Sequence, residues 1–140
     1  MASILAPHRA RTVQRMKAHS TVLCIQDGTA LNYSGLAQCA GLGSIGTNQT
    51  GASSAGLHLH STLVVTTEGL PLGLLDAQFH APVSRAEDDK RASADIPIED
   101  KKTFSWIQAL RDCVALAPQL PDTQMVCVMD READFFAPLR

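Results

Sequence analysis

Residues 125–130, Met-Val-Cys-Val-Met-Asp, form a short apolar run that ends in a carboxylate. A second apolar run, residues 21–26, is followed in the same way by Asp27. Short continuous runs of apolar and β-branched residues are typical of buried strands. We therefore predict a buried strand at 21–26 and a second apolar strand at 125–129, with Asp27 and Asp130 at their carboxyl ends.

The segment between these two runs predicts a mixed α/β order. Residues 57–67 and 70–79 are strand-like, and the Glu68-Gly69 turn between them favours an antiparallel hairpin. A right-handed crossover helix could then lay the last strand parallel to and beside the first. That helix is predicted from an apolar stripe at helical spacing: Phe104, Ile107, Leu110, Val114 and Ala117.

The other segments are predicted to be connections. Residues 1–20 are assigned as a lead-in, in which 7–20 predict a weak helix or an extended segment outside the core. Residues 33–56 are rich in Gly, Ser, Asn and Thr and predict a long loop. Residues 85–102 mix charges of both signs, are interrupted by Pro97, and predict a solvated connection. The folded domain is therefore expected to begin at residue 21 and to extend to residue 140.

The composition is that of a globular protein without an excess of positive charge. Hydrophobic residues make up 45 % of the chain and charged residues 19 %, and the formal net charge is −2. Nucleic-acid-binding proteins usually carry a basic face, so composition argues mildly against DNA binding. No segment approaches the ~18 consecutive apolar residues of a membrane span, and no signal peptide is visible. We expect a soluble, cytoplasmic protein.

The four cysteines contain no Cys-x-x-Cys pair, and two of them lie in the apolar runs. This pattern favours reduced core thiols over a disulfide frame or a zinc site. The four are Cys24, Cys39, Cys113 and Cys127.

The two aspartates have two interpretations. Ligand sites in parallel sheets gather at the carboxyl ends of strands, where two ionised carboxylates repel each other unless a proton or a cation lies between them. Magnesium suits such oxygen ligands, and pairs of these ions serve phosphoryl transfer. Alternatively, Asp27 is only a turn residue before Gly28, and Asp130 only the N-cap of a last helix. Spacing alone favours this second interpretation.

Four strings follow one another along the chain: IQDGTALNYSG at 25–35, LGSIG at 42–46, PLGLLDAQFHAP at 71–82 and MDREADFF at 129–136. Together they resemble the bacterial insertion-sequence transposases of the DDE class, the cut-and-paste group with an RNase H-like catalytic core. The DREAD string within the last of them is the most specific. The resemblance runs from about Pro7 to the last residue.

The resemblance implies a partial RNase H-like fold over residues 21–140 and metal-dependent cleavage and strand transfer of DNA. Asp27 would be the first catalytic acid and Asp130 the second, sharing magnesium, or manganese in its place. Transposon-end and target DNA are the implied partners, with a location at the bacterial nucleoid, and full-length relatives act as dimers on DNA. Four further residues match motif positions without an assigned role: His60, Arg131, Glu132 and Asp134.

The departures from this family bear on activity. Its third acid is a glutamate in a Tyr-Arg-Glu-Lys type motif, and nothing after Asp130 matches it; Glu132 is too close in sequence to substitute. We therefore predict a chain truncated at both ends and inactive by itself. One alternative is a non-catalytic remnant that associates with DNA or with itself, and another is an unrelated α/β phosphohydrolase that uses the same two acids.

Other motifs carry less weight. Residues 41–46 satisfy Gly-x-Gly-x-x-Gly, but no strand is predicted before them and no helix after them, which disfavours a dinucleotide site. Ile25 stands where haloacid-dehalogenase-like phosphatases have their nucleophile, which disfavours that class. His58 and His60 share one strand face and suit a partly buried, hydrogen-bonded role better than metal binding. Trp106 is expected in the core rather than stacked on a base.

Overall fold

The computed structural model describes residues 2–36, 38–47, 49–82, 97–101 and 103–131. These residues form a mixed α/β structure with two α-helices, five strands and two short 3-10 turns, Ile98–Asp100 and Ala117–Gln119. The elements are α1 (Ala2–Met16), β1 (Thr21–Asn32), β2 (Gly43–Thr47), β3 (Ser53–Thr66), β4 (Pro71–His80), α2 (Phe104–Leu116) and β5 (Gln124–Val128).

The chain divides into two compact units. The first contains Met1–Asp27, His60–Gln78 and Ser105–Arg140, and the second contains Gly28–Leu59 and Phe79–Phe104. Both acids of interest, Asp27 and Asp130, belong to the first unit, and so does the histidine at position 60.

The strands are hydrogen-bonded in the order β2-β3-β1-β5, and β4 also pairs with β3. Strand β5 runs parallel to β1, with Cys24 opposite Cys127, which confirms the predicted parallel strand. The predicted hairpin is also present, because the Gly69 N–H donates to the Thr66 carbonyl at 3.0 Å between β3 and β4. Gly69 has φ +86°, a conformation that favours glycine at this turn. The prediction of a mixed sheet is confirmed.

The core of the first unit lies between the buried side of β1 and β3 and the two helices. Alternate residues of β1 are buried from Thr21 to Gln26, as expected for a strand with one face on a core. Burial of these apolar side chains contributes about 25 cal/mol per Å² to stability. The cluster consists of Met16, Val22, Cys24, Val64, Leu72, Leu75, Cys113, Leu116 and Leu120.

Helix α1 corrects the prediction that the N-terminal segment lies outside the core. Met16 is fully buried, and Val13 packs against the same cluster. Thr12 Oγ1 donates to the Leu74 carbonyl at 2.8 Å, and Arg15 Nη1 donates to the Leu72 carbonyl at 2.8 Å. The sequence did not predict this packing because the buried face of the helix is narrow and three arginines and a histidine interrupt its apolar residues.

Two further predictions about strands and loops were wrong. Strand β1 continues past residue 26 to Asn32, and the predicted loop 33–56 contains β2 and the start of β3. These segments contain few apolar residues, so their sequence shows no alternation of apolar and polar positions. Strands β2 and β3 pair in antiparallel orientation, with an irregularity in the register between Ser44 and Gly46.

Helix α2 is present where the spacing predicts it, but its buried face differs from the predicted stripe. Val114 is 66 % exposed, so its predicted core position is wrong. The buried residues are instead Trp106, Ile107, Ala109, Cys113 and Leu116. Ile107 belongs to both the predicted stripe and the buried one. The sheet packs against the buried stripe, which contains Trp106. The predicted core position of Trp106 is confirmed.

The cysteines of the first unit are free, as predicted. Cys24 and Cys113 are buried and Cys127 is half-buried. A hydrogen bond with Cys113 and burial raise the pKa of Cys127, so this thiol is protonated at neutral pH. Cys39 is also free but is exposed, so its predicted place in a core is wrong.

None of the helices within the described ranges is long and apolar enough to cross a membrane. The predicted last helix and most of the predicted connection at 85–102 lie outside the described residues.

Candidate metal centre

The register of β1 and β5 gives Asp27 and Asp130 equivalent positions. Ile25 pairs with Val128, and each aspartate follows two residues later on its own chain segment. Because side chains alternate along a strand, a step of two residues returns to the same face. Neighbouring strands lie about 4.8 Å apart, so the register places the chain segments that carry the two aspartates next to each other: Asp27 lies two residues beyond the last pair on β1, and Asp130 two residues beyond the end of β5. Both side chains are exposed.

The structure excludes the interpretation of Asp27 as a turn residue. Asp27 lies within β1, which continues for five residues beyond it, so it is not a turn residue. Because the Asp27 side chain is exposed, it is not part of the packed core. Its carboxylate faces solvent and is accessible to a ligand. The N-cap alternative for Asp130 depends on residues after 131, which are outside the described ranges.

A buried polar group is centred on His60. His60 is 5 % exposed, and its Nε2 lies 3.4 Å from Oε1 of the buried Gln26. The Trp106 ring meets the imidazole edge-on, with centroids 4.5 Å apart and an interplanar angle of 71°. The expected buried and hydrogen-bonded role of His60 is therefore confirmed, and His58 is half-buried on the same strand.

Burial lowers the pKa of His60 below its ordinary value of 6.5. The negative charges of Asp76, Asp27 and Asp130 act in the opposite direction. The charges of all three carboxylates therefore reach one imidazole. Desolvation outweighs their combined effect, so His60 is neutral at pH 7.

We expect the free energy of unfolding to fall as pH drops below about 6.5 because of His60. Above this value the imidazole is neutral in both states. Below it, the unfolded chain takes up the proton first, because the pKa of His60 is depressed in the folded state. Urea unfolding of wild type and His60→Gln between pH 7 and pH 5 measures the difference: the wild type should lose more stability than the variant.

The exposed His80 provides the matched control for this experiment. His80→Gln should retain the wild-type pH dependence. Equal pH dependence in the wild type and in His60→Gln would contradict the buried neutral imidazole.

Asp76 is the site residue that the sequence did not reveal. It is half-buried on β4 and accepts a hydrogen bond from Gln78 Nε2 at 2.9 Å. The same nitrogen lies 3.5 Å from the Ser105 carbonyl, which ties this part of β4 to the start of α2. A single acid within an apolar strand has no distinctive spacing. Its only signal was its place in the string at 71–82.

The remaining candidates are Arg131, Glu132 and Asp134. Arg131 is exposed beside Asp130. Glu132 and Asp134 lie outside the described residues. Within those residues, no group of three or more His, Cys, Asp or Glu side chains is arranged to hold a metal ion. Asp27 and Asp130 still provide two carboxylates, which are hard oxygen ligands of the type that magnesium prefers.

The glycine motif at 41–46 leads into an antiparallel strand rather than a helix. Its last four residues belong to β2, and Gly41 has φ +80° in the turn before that strand. Without a helix N-terminus it lacks the phosphate-binding geometry of dinucleotide sites. The structure agrees with the prediction that this motif is not such a site.

Comparison with known proteins adds no identification: no family model matches the chain, and no characterised protein shows significant similarity to it.

Proposed function

We propose that the chain is part of a DDE-class DNA transposase and that Asp27 and Asp130 supply two of its metal-binding acids. The observation that carries this proposal is the register of β1 and β5, which makes the two apolar runs that precede Asp27 and Asp130 parallel neighbours in the sheet. The family strings around both residues point to phosphodiester chemistry. The fold we propose for the domain is the RNase H-like fold.

The strand arrangement supports that fold proposal. Strands β1, β3 and β4 are neighbours in the sheet, and β5 joins β1 from the other side in parallel orientation. The connection from β4 to β5 contains α2, as a crossover between parallel strands requires. This topology supports a shared site because the two strands that lead to Asp27 and Asp130 are neighbours, although 102 residues separate the two aspartates in sequence.

In the proposed reaction, Asp27 and Asp130 would hold magnesium, or manganese in its place. When bound, such ions activate water or a DNA 3′-hydroxyl and stabilise the charge that develops on the attacked phosphate. His60, neutral and fixed by Gln26 and Trp106, would keep the base of the site rigid. Transposon-end and target DNA are the proposed substrates, and a cytoplasmic, nucleoid-associated location follows from them.

We expect this chain by itself not to cleave or join transposon-end DNA in magnesium or manganese. A set of two carboxylates lacks the third acid of the family, and no residue after Asp130 matches that motif. The assay is nicking of labelled transposon-end duplex by the purified chain. Cleavage that is lost in Asp27→Ala would contradict this expectation of inactivity.

Metal binding tests the proposed site independently of cleavage. The melting temperature of the wild type should rise with magnesium or manganese concentration, because an ion that binds only the folded state stabilises it by mass action. Asp27→Asn and Asp130→Asn should each remove this rise. Asp122→Asn, an exposed acid in the turn before β5, is the matched control and should retain it. A rise that persists in both site variants would contradict the proposed site.

A further inference from the structure

Positive charge is concentrated at the start of the chain. Residues 1–26 contain four of the 12 Lys and Arg residues and none of the 14 Asp and Glu residues. All four belong to α1 or follow it directly: Arg9, Arg11, Arg15 and Lys17. The net charge of −2 for the whole chain therefore conceals a locally basic surface of the kind that polyanion-binding proteins use.

A groove of about 350 Å³ runs between α1 and β4 in the first unit. We call it the α1–β4 groove. Its polar side is formed by His8, Arg11 and Arg15, and its apolar side by Ile4, Leu5 and Leu74. None of its lining residues is acidic. A groove with guanidinium groups on one side and aliphatic side chains on the other suits an anion that carries an apolar part.

One of the arginines that line the groove is exposed but hydrogen-bonded to β4. Arg15 Nη1 is anchored on the Leu72 carbonyl, and the guanidinium retains further N–H donors for a ligand. Close approach of α1 is possible because position 73 is glycine: a Cβ there would collide with Thr12 Oγ1 and lie 3.4 Å from Arg15 Nη1. An arginine fixed before binding loses less entropy when it contacts an anion.

We propose that the α1–β4 groove binds the sugar-phosphate backbone of DNA, away from the paired acids. Arg11 and Arg15 are four residues apart on one face of α1, so their forks can contact phosphate oxygens together. The apolar wall would receive the sugar. Only the choice of DNA as the polyanion rests on the proposed function, because the groove and its charge are independent of the acids.

A membrane surface fits this helix less well. Membrane-bound helices bury a broad apolar face in the lipid. In α1, Met16 is fully buried and Val13 is packed against the protein core, so that part of its apolar surface is already used. Ile4, 63 % exposed, is the large exposed apolar side chain of the described helix.

The test is fluorescence anisotropy with a short labelled DNA duplex, in EDTA and at increasing salt. Arg11→Gln should weaken binding about tenfold at low salt, as expected for a lost charge-assisted contact. The slope of log K against log salt should fall by about 0.9, the value for one phosphate contact. Arg11→Lys should restore most of the slope, because it keeps the charge and loses only the fork.

Lys17→Gln is the matched control, since it removes the same charge from an exposed residue just outside the groove. It should weaken binding clearly less than Arg11→Gln. Equal losses in the two variants would overturn the proposal in favour of diffuse attraction. Failure of the wild type to bind DNA, or binding to vesicles with anionic lipid in preference to DNA, would also overturn it.

EDTA and the acid variants separate this proposal from the proposed function. Asp27→Asn and Asp130→Asn should bind the duplex at least as tightly as the wild type, since the groove does not use them. Failure of the wild type to bind magnesium or manganese would reject the proposed function and leave the groove intact. Loss of DNA binding in the acid variants would overturn the groove as the DNA site.

Discussion

Trp106→Ala should lower the free energy of unfolding by about 4 kcal/mol, within the range for removal of a buried aromatic side chain. Trp106 is 4 % exposed on α2 and packs edge-on against His60. Truncation would leave a cavity above a buried polar group whose position depends on that ring. Domains of this size are stable by only about 5–15 kcal/mol, so the variant would approach complete unfolding at ordinary temperatures. Urea denaturation monitored by circular dichroism measures the change.

Val114→Ala is the control on the same helix. Val114 is 66 % exposed, so its truncation should change stability by less than about 0.5 kcal/mol. The pair also tests which face of α2 is buried. A large loss in Val114→Ala with a small one in Trp106→Ala would restore the stripe that the sequence predicts and reject the observed packing.

Gly56→Ala should lower the free energy of unfolding by about 3 kcal/mol, as overpacking against rigid neighbours does. Gly56 is buried in β3, and an added Cβ would collide with the Leu31 carbonyl oxygen and lie 2.8 Å from Ile45 Cδ1. The first of these is backbone, which cannot rotate away as a side chain does. The strands of the second unit would have to separate.

Gly35→Ala is the matched control, because a Cβ at Gly35 meets no heavy atom within 4 Å. Its effect should be below about 1 kcal/mol, and of either sign. Thermal or urea unfolding of the two variants gives the comparison. Similar stabilities for Gly56→Ala and Gly35→Ala would contradict the close approach of β1, β2 and β3.

The sequence predicts elements well where a strong apolar pattern surrounds them. The runs at 21–26 and 125–129 are strands, and β3, β4 and α2 are present near the predicted positions. The pattern failed where polar residues form regular structure. Strand β2 and helix α1 are stabilised by pairing and by contacts with distant strands, and no local window of sequence contains those contacts.

The residues of the candidate site also divide into those that a local sequence pattern predicts and those that it does not. Asp27 and Asp130 were predictable because each ends an apolar run, but their alignment depends on the register of β1 with β5, which the sequence does not encode locally. Asp76 was not predictable, since its proximity to His60 arises from the pairing of β4 with β3. The basic groove was hidden by a net charge averaged over the whole chain.

The central claim is that Asp27 and Asp130 together bind a divalent metal ion. Its most direct test is paramagnetic broadening of backbone amide signals when manganese is added at low concentration. The signals of residues next to Asp27 and next to Asp130 should broaden together, and Asp27→Asn should abolish the effect at both places. Broadening at neither aspartate, or broadening near Asp130 that is unchanged in Asp27→Asn, would contradict the account.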